Sequence, residues 1–72
     1  MTVTEIIKAK VSEGVADNES GFSDVFNGFR VETYTHYHLG IITVSIDGFP
    51  CKEFDRFTAK PIYTYIIKAV TK

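Results

Sequence analysis

The 72-residue sequence predicts a mainly β to α+β fold, in which about four or five antiparallel strands form one meander, as a sheet or a partly open barrel. Asn-Gly and Asp-Gly pairs tolerate the positive φ that tight hairpin turns need. Three X-Gly pairs separate runs that are rich in Val, Ile, Thr, Tyr and Phe: Asn27-Gly28, Leu39-Gly40 and Asp47-Gly48. Residues 1–72 are expected to form a single domain, with one short helix near 50–58.

The first segment, residues 2–11, fits either a helix or a strand. Val3, Ile7 and Val11 recur at helical spacing, and Thr4 is a candidate N-cap. Most of the segment is β-branched, however, and this favours a strand, which is the preferred interpretation. The next residues, 12–21, are the most polar stretch of the chain and are expected to form a solvated loop.

The first hairpin is predicted at Asn27-Gly28. A two-residue turn there would place Phe26 opposite Phe29. The alternative is one helical turn over residues 23–27 that ends at Gly28. Both interpretations give Gly28 a positive φ.

The second hairpin has a register that burial can test. We expect Tyr37 opposite Ile42 and Thr35 opposite Val44, which places residues 42, 44 and 46 on one apolar face with Val31. A slip by one residue would mix the apolar and polar sets, and burial penalises such a slip. The other face collects polar and aromatic residues: Arg30, Glu32, Tyr34, His36, His38, Ile41, Thr43 and Ser45.

The pattern changes after the third X-Gly pair. Pro50 suits the first turn of a helix, and Cys51, Phe54 and Phe57 recur at three-residue spacing, so a helix is predicted over 50–58. The alternative is a third hairpin arm. Residues 62–71 then alternate with both faces largely apolar, which predicts a strand in the interior of the sheet.

Composition bounds the compartment and the class of partner. Cys51 is the only cysteine, so no internal disulfide can form. The N-terminus lacks a basic region followed by an apolar stretch, and no apolar run is long enough to cross a bilayer. We therefore expect a cytoplasmic protein that does not contact membranes. The net charge of −1 disfavours a protein that follows nucleic-acid phosphates.

No catalytic, cofactor or metal site is predicted. His36 and His38 would project from one side of a strand, but a metal site needs at least three ligands, and whether these two bind a metal stays open. Cys51 with a histidine would form a nucleophilic pair, for which the sequence indicates no orienting third residue. The glycines are dispersed and none forms a Gly-x-Gly spacing, so no phosphate-binding loop is indicated.

The sequence instead predicts a small non-enzymatic factor that binds another protein. Aromatic residues make up 14% of the chain, more than so small a core is expected to enclose, so some should form a contact face or a homodimer interface. Inhibitors, adaptors and regulators, including those that phages and mobile elements encode, have this profile. The expected contact residues lie on the polar face: Arg30, Glu32, Tyr34, His36 and His38.

Two alternatives accompany this prediction. An edge strand of the meander could extend a partner's sheet. The polar face could instead bind nucleic acid or a nucleotide-like ligand, with bases stacked on the exposed rings.

Overall fold

The computed structural model describes residues 2–17, 21–55 and 58–71. The elements in chain order are α1 (Val3–Asp17), β1 (Ser23–Phe26), β2 (Phe29–His36), β3 (Ile41–Ile46), β4 (Lys52–Asp55) and α2 (Ala59–Val70). The four strands form one antiparallel sheet in the order β1-β2-β3-β4. The predicted α+β meander is confirmed, and it is an open sheet with β1 and β4 at its edges.

The first hairpin turns at Asn27-Gly28, as predicted. Both residues have positive φ, 52° at Asn27 and 85° at Gly28, which is the combination that a type I′ turn requires. Phe26 lies opposite Phe29. The helical alternative over residues 23–27 is wrong, because Ser23–Phe26 is extended.

The second hairpin differs from the predicted register by two residues. Thr35 lies opposite Ile42, whereas Tyr37 lies in the turn that joins β2 to β3. The N–H of Gly40 donates to the carbonyl of His36 at 2.8 Å, and the φ of 68° at Gly40 closes this turn. Because side chains alternate with a period of two, a two-residue shift leaves every strand residue on its predicted face.

The preferred strand over residues 2–11 is wrong, because α1 begins at Val3. The hydroxyl of Thr2 accepts the N–H of Glu5 at 3.2 Å and donates to its carboxylate at 3.1 Å. This pairing is close to the capping box that starts many helices. Thr2, rather than Thr4, therefore caps α1.

Burial explains why β-branched residues form α1. Ile7 and Val11 lie one helical turn apart and are both buried, and such packing overrides weak local propensity. The predicted loop over 12–21 is wrong for residues 12–17, which continue the helix. Residues 18–20 lie outside the described part of the chain.

The predicted helix over 50–58 is also wrong, because its centre is β4, the third hairpin arm. Phe54 lies opposite Ile42 and packs against the core, while Glu53 faces the other way. Apolar residues at three-residue spacing were too few to establish a helical period, and pairing with β3 decides the conformation. Residues 56 and 57 lie outside the described part of the chain.

Helix α2 replaces the strand predicted over residues 62–71. Pro61 is its third residue, a position where no intrahelical N–H bond is lost. The segment is apolar on both sides, so a period of 2 and a period of 3.6 fit the same residues. Packing against α1 selects the helix, whose buried residues recur at helical spacing: Ile62, Ile66, Ala69 and Val70.

Both helices pack on one side of the sheet, which we call the inner face, and the opposite side is the outer face. This is a two-layer arrangement with one apolar layer between helices and strands. The polar Thr35 is buried beside five buried apolar residues of the described strands that belong to that layer: Phe26, Val31, Ile42, Val44 and Ile46. The prediction that residues 42, 44 and 46 share a buried face with Val31 is confirmed.

Candidate functional site

Most of the predicted contact residues belong to the outer face of the sheet, to which all four strands contribute. Alternation along each strand and the cross-strand pairs define its members. From β1 to β4 they are Ser23, Val25, Arg30, Glu32, Tyr34, His36, Ile41, Thr43, Ser45, Glu53 and Asp55. All of them are exposed or half-buried, so the described helices leave this face uncovered.

Four of the five predicted contact residues lie in one row on β2 and project from the outer face: Arg30, Glu32, Tyr34 and His36. His38 does not join the row. It lies in the exposed turn of residues 37–40, because β2 ends at His36. The expectation that both imidazoles project from one side of a strand is therefore wrong.

Tyr34 is the most prominent aromatic side chain of the outer face, with 57% of its surface exposed. Its ring meets the ring of His36 edge to face, with centroids 4.8 Å apart. The Nε2 of His36 lies 3.2 Å from the hydroxyl oxygen of Thr43 on the neighbouring strand. This chain of contacts supports one side of the Tyr34 ring, and such support lowers the entropy that a binding partner would have to remove.

Arg30 and Glu32 contact each other only loosely. The guanidinium Nη1 lies 3.9 Å from the Glu32 carboxylate, and more than half of each side chain is exposed. The same carboxylate oxygen accepts a long hydrogen bond from the Ser23 hydroxyl, at 3.4 Å. Such an exposed pair contributes little to stability, so both charged groups stay accessible to a partner.

The turn of residues 37–40 adds apolar surface beside the outer face. Leu39 is 70% exposed and Tyr37 is 49% exposed. The sequence prediction placed Tyr37 on the apolar face and did not assign Leu39 to the site. A leucine inside a turn that a glycine closes was the available signal, since large apolar side chains in turns have no local structural role.

A shallow groove of 430 Å³ runs along the outer face beside Tyr34. One wall is the chain before β1, which approaches β2 so closely that a Cβ at Gly21 would lie 1.9 Å from the carbonyl oxygen of Thr33. The Thr33 N–H donates to the carbonyl of Phe22 at 2.8 Å. The groove is lined by Gly21, Phe22, Ser23, Glu32, Thr33, Tyr34, Thr43 and Ser45.

Among the described residues of the outer face, carboxylates outnumber fixed cations. Glu32, Glu53 and Asp55 project from it, against the guanidinium of Arg30. The exposed lysines of the helices lie on the other side of the molecule: Lys8, Lys60 and Lys68. The described residues of this face therefore carry more negative than positive charge.

At the β1 edge of the sheet, the N–H groups of Ser23 and Val25 point outwards, and that of Val25 is already bonded. The hydrogen bonds of Phe22 and, by alternation, of Asp24 run to β2, so the N–H of Val25 points away from the sheet. Asp24 Oδ1 accepts that N–H at 2.8 Å, and Oδ2 binds the ammonium group of Lys10 on α1. The hydrogen bond from Lys10, followed by the one from Val25, lowers the pKa of Asp24.

At the β4 edge, the outward carbonyl of Asp55 accepts the N–H of Thr58 at 3.1 Å. Asp47 N–H donates to the carbonyl of Arg30 at 3.2 Å, which sets the alternation of hydrogen bonds across β3. It follows that the backbone of Ile42 pairs with that of Phe54, and that the N–H and C=O of Glu53 point to the free edge. Within the described residues, Glu53 has no side-chain partner at this edge.

A second concavity of 240 Å³ lies between α1 and the inner face. Its walls include apolar side chains and the hydroxyl-bearing residues Thr33 and Thr35, with Lys10 and Glu13 also lining it. None of the five predicted contact residues lines this cavity. It shares Gly21, Phe22 and Thr33 with the groove on the outer face, because the chain before β1 lies between the two concavities.

A metal site is not assembled by the described residues: in 2–17, 21–55 and 58–71, no three His, Cys, Asp or Glu side chains form a group that could hold an ion. His36 lies against Thr43, and His38 lies beyond the end of the strand. Cys51 is an exposed free thiol just before β4.

Comparisons with known proteins give no similarity from which a role could be taken. No family model matches the chain, and neither the curated proteins nor the solved structures give a significant match. None of the helices in the described ranges is both long and apolar enough to cross a membrane.

Proposed function

We propose that this chain is a small non-enzymatic factor, an inhibitor, adaptor or regulator, that binds another protein through the outer face of its sheet. The observation that carries the proposal is an uncovered sheet face on which Tyr34 is more than half exposed and yet held by His36. Tyr and Arg are the residue types that most often dominate the energetics of protein interfaces. Arg30, Glu32, Tyr34 and His36 form the row, and His38 extends it from the turn.

The apolar residues near this row support a protein partner. Tyr37 and Leu39 are exposed at one end of the sheet, and Val25, with 55% of its surface exposed, lies on β1. Apolar and aromatic groups surrounded by polar residues are typical of the centre and rim of a protein interface. A homodimer through this face is a special case of the same proposal.

The charge of the outer face favours a protein over nucleic acid. The described residues of this face include three carboxylates and one guanidinium, and phosphate binding depends on an excess of Lys and Arg. Stacking of bases on Tyr34 would bring phosphates towards Glu32, which costs electrostatic energy. The face accordingly suits a partner surface that is neutral or basic.

Affinity capture from the native host tests the proposal. The wild-type chain should retain a stoichiometric protein that the Arg30→Ala/Tyr34→Ala double variant does not retain. A matched control replaces Lys60 and Lys68 on α2 by Ala, which removes two exposed side chains from the opposite side of the molecule and should leave capture unchanged. Loss of the partner in the control, with retention by the double variant, would reject the outer face.

Electrophoretic mobility shift separates the nucleic-acid alternative. The proposal expects no shift with single-stranded DNA or RNA at low salt, where electrostatic binding is strongest. A shift that weakens with salt and disappears in Tyr34→Ala would reject the protein-binding proposal in favour of nucleic-acid binding.

A further inference from the structure

We propose that the cavity between α1 and the inner face binds a small neutral molecule that has one apolar ring and one hydrogen-bonding group. This would be a second site, since none of the residues proposed to contact a protein partner lines the cavity. The inference goes beyond the proposed function and does not depend on it. Three observations support it: the size of the cavity, the chemistry of its walls, and a glycine of α1 that leaves the space open.

The volume of the cavity sets the size of its occupant. At 240 Å³ it exceeds the roughly 150 Å³ of an apolar protein cavity that holds benzene. It is smaller than the roughly 300 Å³ or more of the pockets that enclose drug-sized ligands. A single ring with one or two substituents therefore fits, whereas a molecule as large as a nucleotide does not.

Apolar side chains from four segments line the cavity. Val11 on α1, Ile42 on β3 and Ile62 on α2 are all buried. The ring of Phe22, which precedes β1 and packs against the core, adds an aromatic wall. An apolar ring placed here would leave water on several sides and would meet Phe22 in one of the arrangements that aromatic pairs prefer.

The polar groups of the cavity favour a neutral ligand over a charged one. The Thr33 hydroxyl accepts the N–H of Phe22 and can still donate its own proton to a ligand oxygen. Lys10 also lines the cavity, but its ammonium group already binds the carboxylate of Asp24. A ligand anion would meet Glu13 and compete with Asp24, whereas a ligand cation would meet Lys10. Removing such a charge from water without a full partner is more unfavourable than removing a hydroxyl or an amide.

Gly14 leaves the space open, and this glycine makes α1 less stable than alanine would. It follows Val11 by three residues and Ile7 by seven, so it lies on the side of α1 that packs against the core. It lines the cavity, and a Cβ at this position would meet no atom of the described residues within 4 Å. An alanine there would fit and would favour the helix. Local choices that oppose stability are expected where a site needs them, and space for a ligand is such a need.

The test uses the isotope-labelled full chain and three probes with the same ring: benzyl alcohol, benzoate and benzylammonium. In NMR titrations, benzyl alcohol should shift the signals of Val11, Ile42 and Ile62 saturably, with a Kd of about 1 mM or lower. The N–H of Gly48, in the turn after β3, should not shift. Benzoate and benzylammonium should bind about tenfold more weakly or not at all, because each introduces a charge.

Gly14→Leu is the blocking variant, because its side chain would occupy the cavity. Benzyl alcohol binding should fall about tenfold or more, while the midpoint of urea unfolding stays the same or rises. The matched control is Ser12→Leu, which adds the same side chain at an exposed position of α1 and should leave the binding unchanged. Loss of binding in a variant that is at least as stable as the wild type cannot come from unfolding.

Four results would overturn the inference. They are no saturable shift of the three cavity residues with benzyl alcohol, tighter binding of benzoate or benzylammonium than of benzyl alcohol, unchanged binding in Gly14→Leu, and a Gly14→Leu chain that is less stable than the wild type. The last result would show that the space is already needed by the fold. The proposed function is tested separately, by whether capture from the host depends on Arg30 and Tyr34.

Discussion

The two faces of this sheet are built from alternate residues of the same strands and yet carry opposite properties. On the inner face, Val31 and Val44 have no exposed surface. On the outer face, their neighbours Glu32 and Ser45 are exposed. Neighbouring positions of one strand therefore face either the core or the surface proposed to bind a partner. A substitution on the inner face should reduce stability, and one on the outer face should reduce the proposed binding.

One polar residue of the inner face, Thr33, lies near the edge of the sheet where the chain enters β1. Thr33 lies on that side, opposite Val44, and its hydroxyl accepts the N–H of Phe22 at 3.0 Å. The bond attaches the chain before β1 to the edge of the sheet. A polar side chain on the inner face is thus bonded to backbone, as buried polar groups usually are.

The largest expected effect is that of Val44→Asp. The change would bury an unpaired charge in the core and should destabilise the fold by about 3 kcal/mol or more, enough to unfold a domain of this size. The matched control is Ser45→Asp, one residue away on the outer face, where the cost should be about 1 kcal/mol or less. Circular dichroism and urea unfolding measure both, and two folded variants with equal midpoints would contradict the comparison.

A smaller but still large loss is expected for Ile66→Ala in α2. Ile66 has no exposed surface, and truncation of a buried isoleucine costs about 2–5 kcal/mol through lost transfer energy and the cavity that remains. Thr64→Ala, at an exposed position of the same helix, controls for helix propensity. If the two variants unfold at the same denaturant concentration, α2 does not pack as described.

The third prediction concerns the outer face itself. Arg30→Ala and Tyr34→Ala should each change the free energy of unfolding by about 0.5 kcal/mol or less, as surface substitutions usually do. Each should weaken binding of the captured partner, by about 2 kcal/mol if Tyr34 is a central contact. Calorimetry or a binding titration measures the affinity, and a large stability loss with unchanged affinity would show that the row is structural.

The smallest effect is a pH dependence at the β1 edge. Because the folded-state pKa of Asp24 lies below the usual 3.8, its contribution to stability is present above that value and is lost as the pH falls through the folded pKa. Asp24→Asn should therefore flatten the acid limb of the stability curve slightly. Lys10→Met should have the same effect. An unchanged acid limb in both variants would contradict a stabilising interaction between Asp24 and Lys10 at the β1 edge.

Sequence reasoning placed strand residues on the correct face of the sheet wherever the placement depended only on the alternation of side chains. Arg30, Glu32, Tyr34 and His36 share the outer face for any register that differs by an even number of residues, so the error of two in the second hairpin did no harm. His38 was misplaced because the end of β2 depends on which turn closes the hairpin. Glu53 and Asp55 were missed because their segment was predicted as a helix.

The sequence by itself determined the meander: its glycine turns need positive φ, and its strands alternate between apolar and polar residues with a period of two. Only the tertiary structure decided the conformation of the two ends and of β4. The two end segments are rich in β-branched or two-sided apolar residues, for which local preference is weak and either period fits. Strand β4 has three charged residues and one phenylalanine, too few apolar residues to show any period. Burial of α1 and α2 against the inner face, and pairing of β4 with β3, supply the free energy that chooses between them.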